Sequence, residues 1–175
     1  MEEQEKQARF EELIMPHLDA AYNLARWLTR NEHDAEDVVQ DAFLRAFKFF
    51  DGFRGGNGRS WLLSIVRNTS YTWLQKNRRQ DLVFDEKIPE VEDPAANPEV
   101  LLLKHADQAT VLQAMEELPV EFREVTILRE LEGMSYKEIA EVTDVPLGTV
   151  MSRLARARKQ LQTCLTQRLQ GGGSE

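Results

Sequence analysis

The sequence predicts an all-α protein made of two small helical domains that are joined by a flexible acidic linker. Apolar residues recur at the three- and four-residue spacing of amphipathic helices, and no segment shows the alternation of a β-strand. An acidic, proline-containing segment without this period interrupts the pattern near the middle of the 175 residues. The predicted boundaries are 1–80 for the first domain, 81–97 for the linker, 98–170 for the second domain and 171–175 for a flexible tail.

Three amphipathic helices are predicted in the first domain. The first spans about 10–28 and the second about 34–50, each with one apolar side. The segment DGFRGGNGR then breaks the pattern with three glycines in four positions, and a third helix follows over about 60–77. The predicted core residues of these helices are Leu13, Ile14, Leu18, Ala21, Leu24, Leu28, Val39, Ala42, Phe43, Ala46, Phe50, Leu62, Ile65, Val66, Thr69 and Trp73.

The linker prediction rests on the segment DLVFDEKIPEVEDPAANP. It is acidic, contains three prolines and lacks an amphipathic period, as extended linkers do. Asn97 and Pro98 suit the N-cap and the first position of a helix, so a fourth helix is expected to begin near Pro98 and to end near Leu118.

Three more helices complete the second domain. One runs from about 120 to 132 and ends at Gly133, a residue suited to the left-handed conformation after a helix. Ser135 and Glu138 have the spacing of a capping box and begin a short helix through Val142. After a turn at 144–146, the last helix buries one side, with inward positions spaced four, three and four apart: Val150, Leu154, Ala157 and Leu161.

Charge is distributed unevenly along a chain whose net charge is −8. Residues 1–44 carry 4 basic and 11 acidic side chains, whereas residues 45–79 carry 8 basic and one acidic. Residues 81–110 carry 2 basic and 8 acidic side chains, and residues 152–168 carry 5 basic and no acidic ones. Because DNA affinity rises with the number of phosphates neutralised, the acidic remainder opposes binding. We expect weak binding to bare duplex unless a partner orients the two basic segments or shields the acids.

The last two predicted helices have the pattern of a helix–turn–helix motif. A short capped helix, a tight turn and a longer second helix with outward cations fit the major groove of DNA. The polar and basic residues predicted to face outward are Thr149, Ser152, Arg153, Arg156 and Lys159. The same spacing also fits a solvated basic face on an ordinary bundle helix, since such turns occur outside DNA-binding proteins.

The third predicted helix has a second face that is polar, basic and aromatic. Its residues recur at helical spacing and are Ser64, Arg67, Asn68, Tyr71, Gln75 and Arg78. Phe53, Trp61 and the glycine-rich loop adjoin this face. Aromatic rings stack on unpaired bases while cations follow the backbone, so the pattern predicts contact with single-stranded DNA. The alternative is that the tryptophans belong to the core and the arginines are solvated; we favour it for Trp73, and it stays open for the others.

An acidic cluster lies at the start of the second predicted helix: His33, Asp34, Glu36, Asp37 and Asp41. His33, Asp37 and Asp41 lie at i, i+4 and i+8 and could share one face of the helix. Such a cluster suggests a metal-dependent nuclease or phosphohydrolase. Acids at the start of a helix also complement the helix dipole without a metal. Because the sequence shows no second ligand set and no catalytic pair, we predict no metal, no cofactor and no enzymatic activity. We expect these carboxylates to meet a basic protein partner.

Taken in order, three blocks of the sequence resemble the extracytoplasmic-function group (group 4) of bacterial sigma factors in the sigma-70 family. DAEDVVQDAFLRAFKFFDGFRG resembles the region 2 helix that docks on polymerase, and SWLLSIVRNTSYTWLQKNRR resembles the part that reads the −10 element. LPVEFREVTILRELEGMSYKEIAEVTDVPLGTVMSRLARARKQL resembles region 4, which reads the −35 element. The resemblance implies a factor that directs promoter-specific transcription initiation by binding core RNA polymerase.

The resemblance also implies roles for matching residues. The surface for the β′ coiled coil of polymerase would comprise Asp37, Val38, Gln40, Asp41 and Phe43. The −10 contacts would come from Phe53, Arg54, Trp61, Arg67, Asn68 and Tyr71, with Asn68 near a flipped base and the FRGGNGR loop forming its pocket. The −35 contacts would come from the outward residues of the last helix. Met151 stands where many relatives have a basic residue, which leaves the −35 preference open.

Several partners follow from the same resemblance: the β′ coiled coil and β flap of core polymerase, promoter DNA and an anti-sigma factor. The single Cys164 indicates a reducing cytoplasm, and no apolar run is long enough for membrane insertion. The alternative function is that of a stand-alone helix–turn–helix transcriptional regulator, which would bind its DNA without polymerase.

Overall fold

A computed structural model describes residues 2–77 and 108–172, with side chains placed through Arg168, and this part of the chain is all-α. The N-terminal domain contains four α-helices and two 3₁₀ turns among these residues. The helices are α1 (Glu3–Leu13), α2 (Leu18–Thr29), α3 (Glu32–Lys48) and α4 (Gly58–Asn77), and the turns are Met15–His17 and Phe50–Gly52. The predicted fold class is therefore confirmed.

The single helix predicted over 10–28 is wrong. The chain forms α1, the turn Met15–His17 and then α2, because Pro16 lacks an N–H group and cannot continue the hydrogen-bond ladder of α1. Leu18, predicted as a core residue, begins α2 and is 41% exposed. The helices predicted over 34–50 and 60–77 correspond to α3 and α4, and each predicted end lies within two residues of the observed one.

The core of the N-terminal domain lies between α2, α3 and α4, which pack pairwise against one another. Its buried residues include Leu24, Leu28, Val39, Ala42, Leu62 and Val66, all predicted from the helical period. Phe10 attaches α1 to this core by edge-on contacts, with its ring centre 5.3 Å from that of Phe47 and 5.4 Å from that of Phe50.

The described part of the C-terminal domain comprises α5 (Gln108–Glu116), α6 (Val120–Glu130), α7 (Tyr136–Thr143) and α8 (Leu147–Gly172). Gly133 has a φ of 64°, as expected of a glycine that ends a helix. The predicted capping box of Ser135 and Glu138 is confirmed, with both reciprocal hydrogen bonds present. The linker at 81–97, the start of a helix near Pro98 and the last residues of the predicted tail lie outside the described residues.

The two domains pack against each other in a closed arrangement that the sequence did not predict. Helix α2 contacts α6, and α4 contacts α7. Among the described residues, no helix is long and apolar enough to cross a membrane.

Candidate nucleic-acid interface

Helices α7 and α8 form the predicted helix–turn–helix. Asp144 ends α7 in the left-handed conformation, with a φ of 55°, and α8 begins three residues later. The four predicted inward residues of α8 are all buried: Val150, Leu154, Ala157 and Leu161. Their packing against α5, α6 and α7 fixes which side of α8 faces outward.

The outward side of α8 contains most of the predicted −35 residues. Lys159 is exposed, and Thr149, Arg153 and Arg156 are half-buried. The outward placement predicted for Ser152 is wrong: it is 7% exposed, and its hydroxyl donates a hydrogen bond to the carbonyl of Gly148 at 2.9 Å. A short side chain bonded to its own helix in this way is withdrawn from the surface.

Neighbouring contacts position the arginines of α8. The guanidinium of Arg156 lies over the ring of Phe122, 5.3 Å from the ring centre, which holds its stem against α6. Arg158, which lies on the same helix but was not predicted as a contact, is 3.7 Å from a carboxylate oxygen of Glu130. The first contact positions the Arg156 guanidinium beside α6, and the second pairs Arg158 with a carboxylate.

The glycine-rich loop before α4 contributes to a cavity of about 360 Å³. Its lining residues are Gly52, Phe53, Arg54, Gly55, Asn57, Ser60, Trp61, Ser64 and Glu141. The rings of Phe53 and Trp61 are 5.0 Å apart between centres, and the buried hydroxyl of Ser60 has no hydrogen-bond partner among the described residues. An aromatic wall beside a polar group suits a flat heterocycle. The structure brings Phe53, Arg54 and Trp61 together in this cavity, but its lining does not include Arg67, Asn68 and Tyr71, which were predicted for the same site.

Asn57 sets the start of α4 beside this cavity. Its side-chain oxygen accepts a hydrogen bond from the backbone N–H of Ser60 at 3.1 Å, as an N-cap residue does. Gly58 follows it, and a Cβ there would lie 2.7 Å from the carbonyl oxygen of Leu13. Any other residue type at position 58 would clash with this carbonyl. Glycine therefore allows the backbone of α4 to lie close to the end of α1.

The face of α4 is only partly exposed in the closed arrangement. Asn68 is exposed, but Tyr71 is 8% exposed, so the outward placement predicted for Tyr71 is wrong. Burial raises the pKa of the Tyr71 phenol well above its ordinary value. Its ring serves as a platform for Arg67, whose guanidinium lies 3.9 Å from the ring centre.

Arg67 forms a bidentate ion pair with Glu124 of α6. The two hydrogen bonds measure 2.9 and 3.2 Å, and the side chains are 17% and 0% exposed, respectively. Burial alone would lower the pKa of Arg67, but the charge and the hydrogen bonds of Glu124 outweigh it, and the pKa of Arg67 is raised. In this arrangement the predicted DNA-contacting guanidinium is occupied by a carboxylate of the other domain.

Further polar contacts join the two domains near the start of α4 and in α2. Asn57 donates a hydrogen bond to Glu138 at 2.7 Å, and Arg59 lies 3.6 Å from the same carboxylate. Arg59 also donates to the backbone carbonyl of Glu132 at 2.9 Å, and Asn23 donates to its side chain at 3.1 Å. Sequence patterns did not indicate these contacts with the C-terminal domain, because the partners lie at least 73 residues away.

The predicted protein-docking surface lies on α3. Asp37, Gln40 and Asp41 are exposed, and Phe43 is half-buried. Val38 is 2% exposed and belongs to the core, so it supports this surface from beneath and does not form part of it. Two exposed apolar residues near the end of the helix were missed, Leu44 at 66% and Phe49 at 58% exposure. Within the described residues, no group of three or more His, Cys, Asp or Glu side chains has the arrangement of a metal site.

Comparison with known families and relatives agrees with this division into two domains. The family described as Sigma-70 region 2 matches residues 13–80, and the family described as Sigma-70, region 4 matches residues 108–161. The sigma-E factor of Escherichia coli K12, an ECF RNA polymerase sigma factor, is 38% identical over 137 residues, which cover 73% of this chain and 72% of the relative.

A second relative is the ECF RNA polymerase sigma factor SigE of Mycolicibacterium smegmatis. It is 38% identical over 160 residues, and the match covers 89% of this chain but only 61% of that relative's length.

Two solved structures are also similar to the chain. The sigma factor RpoE of Bartonella quintana, crystallised with the anti-sigma factor NepR, has a TM-score of 0.68 and 30% identity, and the match covers 90% of this chain and 97% of that one. CnrH in complex with the cytosolic domain of CnrY has a TM-score of 0.63 and 29% identity, with 91% and 89% of the two chains covered.

Proposed function

The chain belongs to the sigma-70 family, among its extracytoplasmic-function RNA polymerase sigma factors, and from this premise we propose that it directs core polymerase to promoters by reading two DNA elements. It is a noncatalytic factor that acts in the cytoplasm; phosphodiester chemistry belongs to the polymerase. The single observation that carries the proposal is that one chain combines the α7–α8 helix–turn–helix with the aromatic cavity beside α4.

The −35 element is read as duplex DNA by α8. The buried stripe of this helix turns Thr149, Arg153 and Arg156 toward one side, and a major groove accepts a helix presented in this way. Lys159, one turn further along, meets a phosphate, which adds affinity without sequence selectivity.

The −10 element is read as a single strand by α4 and its preceding loop. An unstacked base enters the cavity lined by Phe53 and Trp61, and Asn68 on the exposed part of α4 reads a base edge. Capture of a base outside the duplex helps to hold the strands apart after melting. Arg67 and Tyr71 take part only after the closed arrangement opens.

Core polymerase binds the exposed side of α3. Asp37, Gln40 and Asp41 supply carboxylates and an amide for a basic partner, and the neighbouring Leu44 adds exposed apolar area. The β′ coiled coil is the partner of this helix, and the β flap is a partner of the C-terminal domain. One structural relative, RpoE of Bartonella quintana, is bound to the anti-sigma factor NepR, and this supports an anti-sigma factor as a further partner here.

Reconstituted transcription tests the proposal. Core polymerase with this chain is expected to start transcripts from a set of promoters that core alone ignores, and genomic DNA fragments supply the templates. A gel shift with the free chain separates the stand-alone regulator, which would bind its DNA tightly without polymerase. If the chain binds core but no template responds, the proposal fails.

A further inference from the structure

We propose that the acidic edge of the C-terminal domain acts as an intramolecular substitute for DNA, which covers the −10 reading face until the domains separate. This acidic edge consists of Glu124, Glu132, Glu138 and Glu141. The inference rests on the proposed function, because it takes the face of α4 and the adjoining cavity as the surface that contacts the −10 strand.

The Arg67–Glu124 pair is the centre of this contact. A guanidinium binds carboxylate and phosphate through the same planar fork of N–H groups, so the bidentate contact to Glu124 occupies the donors that a DNA phosphate or base edge would take. Because the Glu124 side chain is fully buried, neither DNA nor solvent reaches that side of Arg67 while the pair is intact.

A second set of contacts covers the loop and the cavity. Glu138 accepts a hydrogen bond from Asn57 and lies beside Arg59, next to the start of α4. Glu141, one turn further along α7, lines the same cavity as Phe53 and Trp61. A negative charge in this lining repels an incoming phosphodiester strand.

The contacts around α4 share one polarity. There the N-terminal domain contributes cations and amide donors, and the C-terminal domain contributes carboxylates and a backbone carbonyl. Arg123 of α6 donates in the opposite direction, to the end of α2, and is not part of this set. Nucleic acid would present the same arrangement of negative acceptors to this face. The acidic edge is therefore complementary to the DNA-binding face of α4. It is displaced when polymerase sets the two domains apart along the promoter.

Full-length Glu124→Gln tests the proposal, with Glu117→Gln as the matched control. Glu117 has the same charge but pairs with Arg168 inside the C-terminal domain, away from α4. Small-angle X-ray scattering measures the opening, and fluorescence anisotropy measures binding of a single-stranded −10 oligonucleotide. We expect Glu124→Gln to increase the radius of gyration and to tighten binding about tenfold, since the closed fraction no longer reduces apparent affinity. The control should leave both unchanged.

Hydrogen exchange on the unaltered chain provides a measurement that does not depend on a variant folding. Addition of the −10 oligonucleotide should speed exchange in α6 around Glu124 and at the end of α2, where the domains meet. Slower or unchanged exchange there would overturn the inference. The inference would also be overturned if Glu124→Gln left the radius of gyration unchanged, or increased it without tightening oligonucleotide binding. An equal effect of Glu117→Gln would overturn it as well.

Transcription by wild-type chain with core polymerase is measured in parallel to separate the two proposals. Promoter-dependent transcripts together with any of the contrary results above would refute the covered face and leave the sigma-factor function intact. Failure of transcription despite core binding would refute the function itself.

Discussion

Arg123→Met tests the most deeply buried contact between the two domains. Arg123 lies in α6 with its side chain fully buried. Its Nε donates a hydrogen bond to the carbonyl of Trp27 at 2.7 Å, and one terminal nitrogen donates to the carbonyl of Leu118 at 2.7 Å. Trp27 belongs to the last turn of α2, where carbonyls have no partner within the helix and a cation complements the dipole.

The expected cost follows from these two short bonds. Each hydrogen bond from a charged donor contributes about 1.5–3 kcal/mol, and methionine retains much of the apolar stem, so the free energy of unfolding should fall by about 3–5 kcal/mol. Urea unfolding followed by circular dichroism measures the change.

Arg129→Met is the matched control for this measurement. Arg129 lies on the same helix and donates to the carbonyl of Met134 at 2.8 Å, within the C-terminal domain. The control loses one bond, and solvent screens this half-buried site, so its free energy of unfolding should fall by less, about 1 kcal/mol. If Arg123→Met costs no more than Arg129→Met, the reasoning that Arg123 joins the domains by satisfying the end of α2 is refuted.

Four further changes test other parts of the account. Asn68→Ala should slow open-complex formation on promoter DNA more than it weakens −35 duplex binding; equal effects would contradict a −10 role. Arg156→Ala should weaken −35 binding by about 1–3 kcal/mol in a gel shift with holoenzyme, whereas a comparable loss of core affinity would contradict a base contact. Gly58→Ala should lower the free energy of unfolding by about 1–3 kcal/mol, because the new Cβ meets the carbonyl of Leu13, and an unchanged thermal midpoint would exclude that clash. Hydrogen bonds, chiefly from the backbone N–H of Ser135, lower the pKa of Glu138, so its stabilisation is present above the ordinary glutamate pKa and is lost as the pH falls through the folded value. Glutamine keeps the capping hydrogen bond but loses the charge, so with solvent screening Glu138→Gln should cost less than about 1 kcal/mol at pH 7 and nothing in strong acid; a pH-independent difference in urea unfolding would refute this.

Local patterns predicted most of the secondary structure. The period of the apolar residues identified α3, α4 and the buried stripe of α8, and the capping box identified the start of α7. The first helix was predicted as continuous because Pro16 lies between two apolar runs that remain in phase, although its missing N–H group divides them.

The exposure of individual side chains was harder to predict, since it depends on neighbours that are distant in sequence. Ser152 occupies an outward position by spacing, but its hydroxyl bonds to its own helix. Tyr71 has polar neighbours in sequence, yet it is buried beside a residue of the other domain. Val38 shares its sequence block with exposed acids but points into the core.

The closed arrangement could not be read from the sequence at all. Its central pair joins Arg67 to Glu124, 57 residues apart, and both residues also fit a solvated helix face when each helix is considered alone. Sequence charge counts did indicate that the acidic part of the chain opposes DNA binding. The structure shows where some of these acidic residues lie: Glu124 contacts Arg67 on the face of α4.

The most direct test of the two-reader account is transcription from promoters whose −35 and −10 elements are moved apart. With polymerase holding the two domains at one separation, an insertion of about five base pairs, half a helical turn, turns the −35 element to the opposite side of the duplex. The account predicts that transcription from the reconstituted holoenzyme is lost on this template, whereas a substitution of the same spacer at constant length has little effect. Undiminished transcription from the lengthened promoter would contradict it.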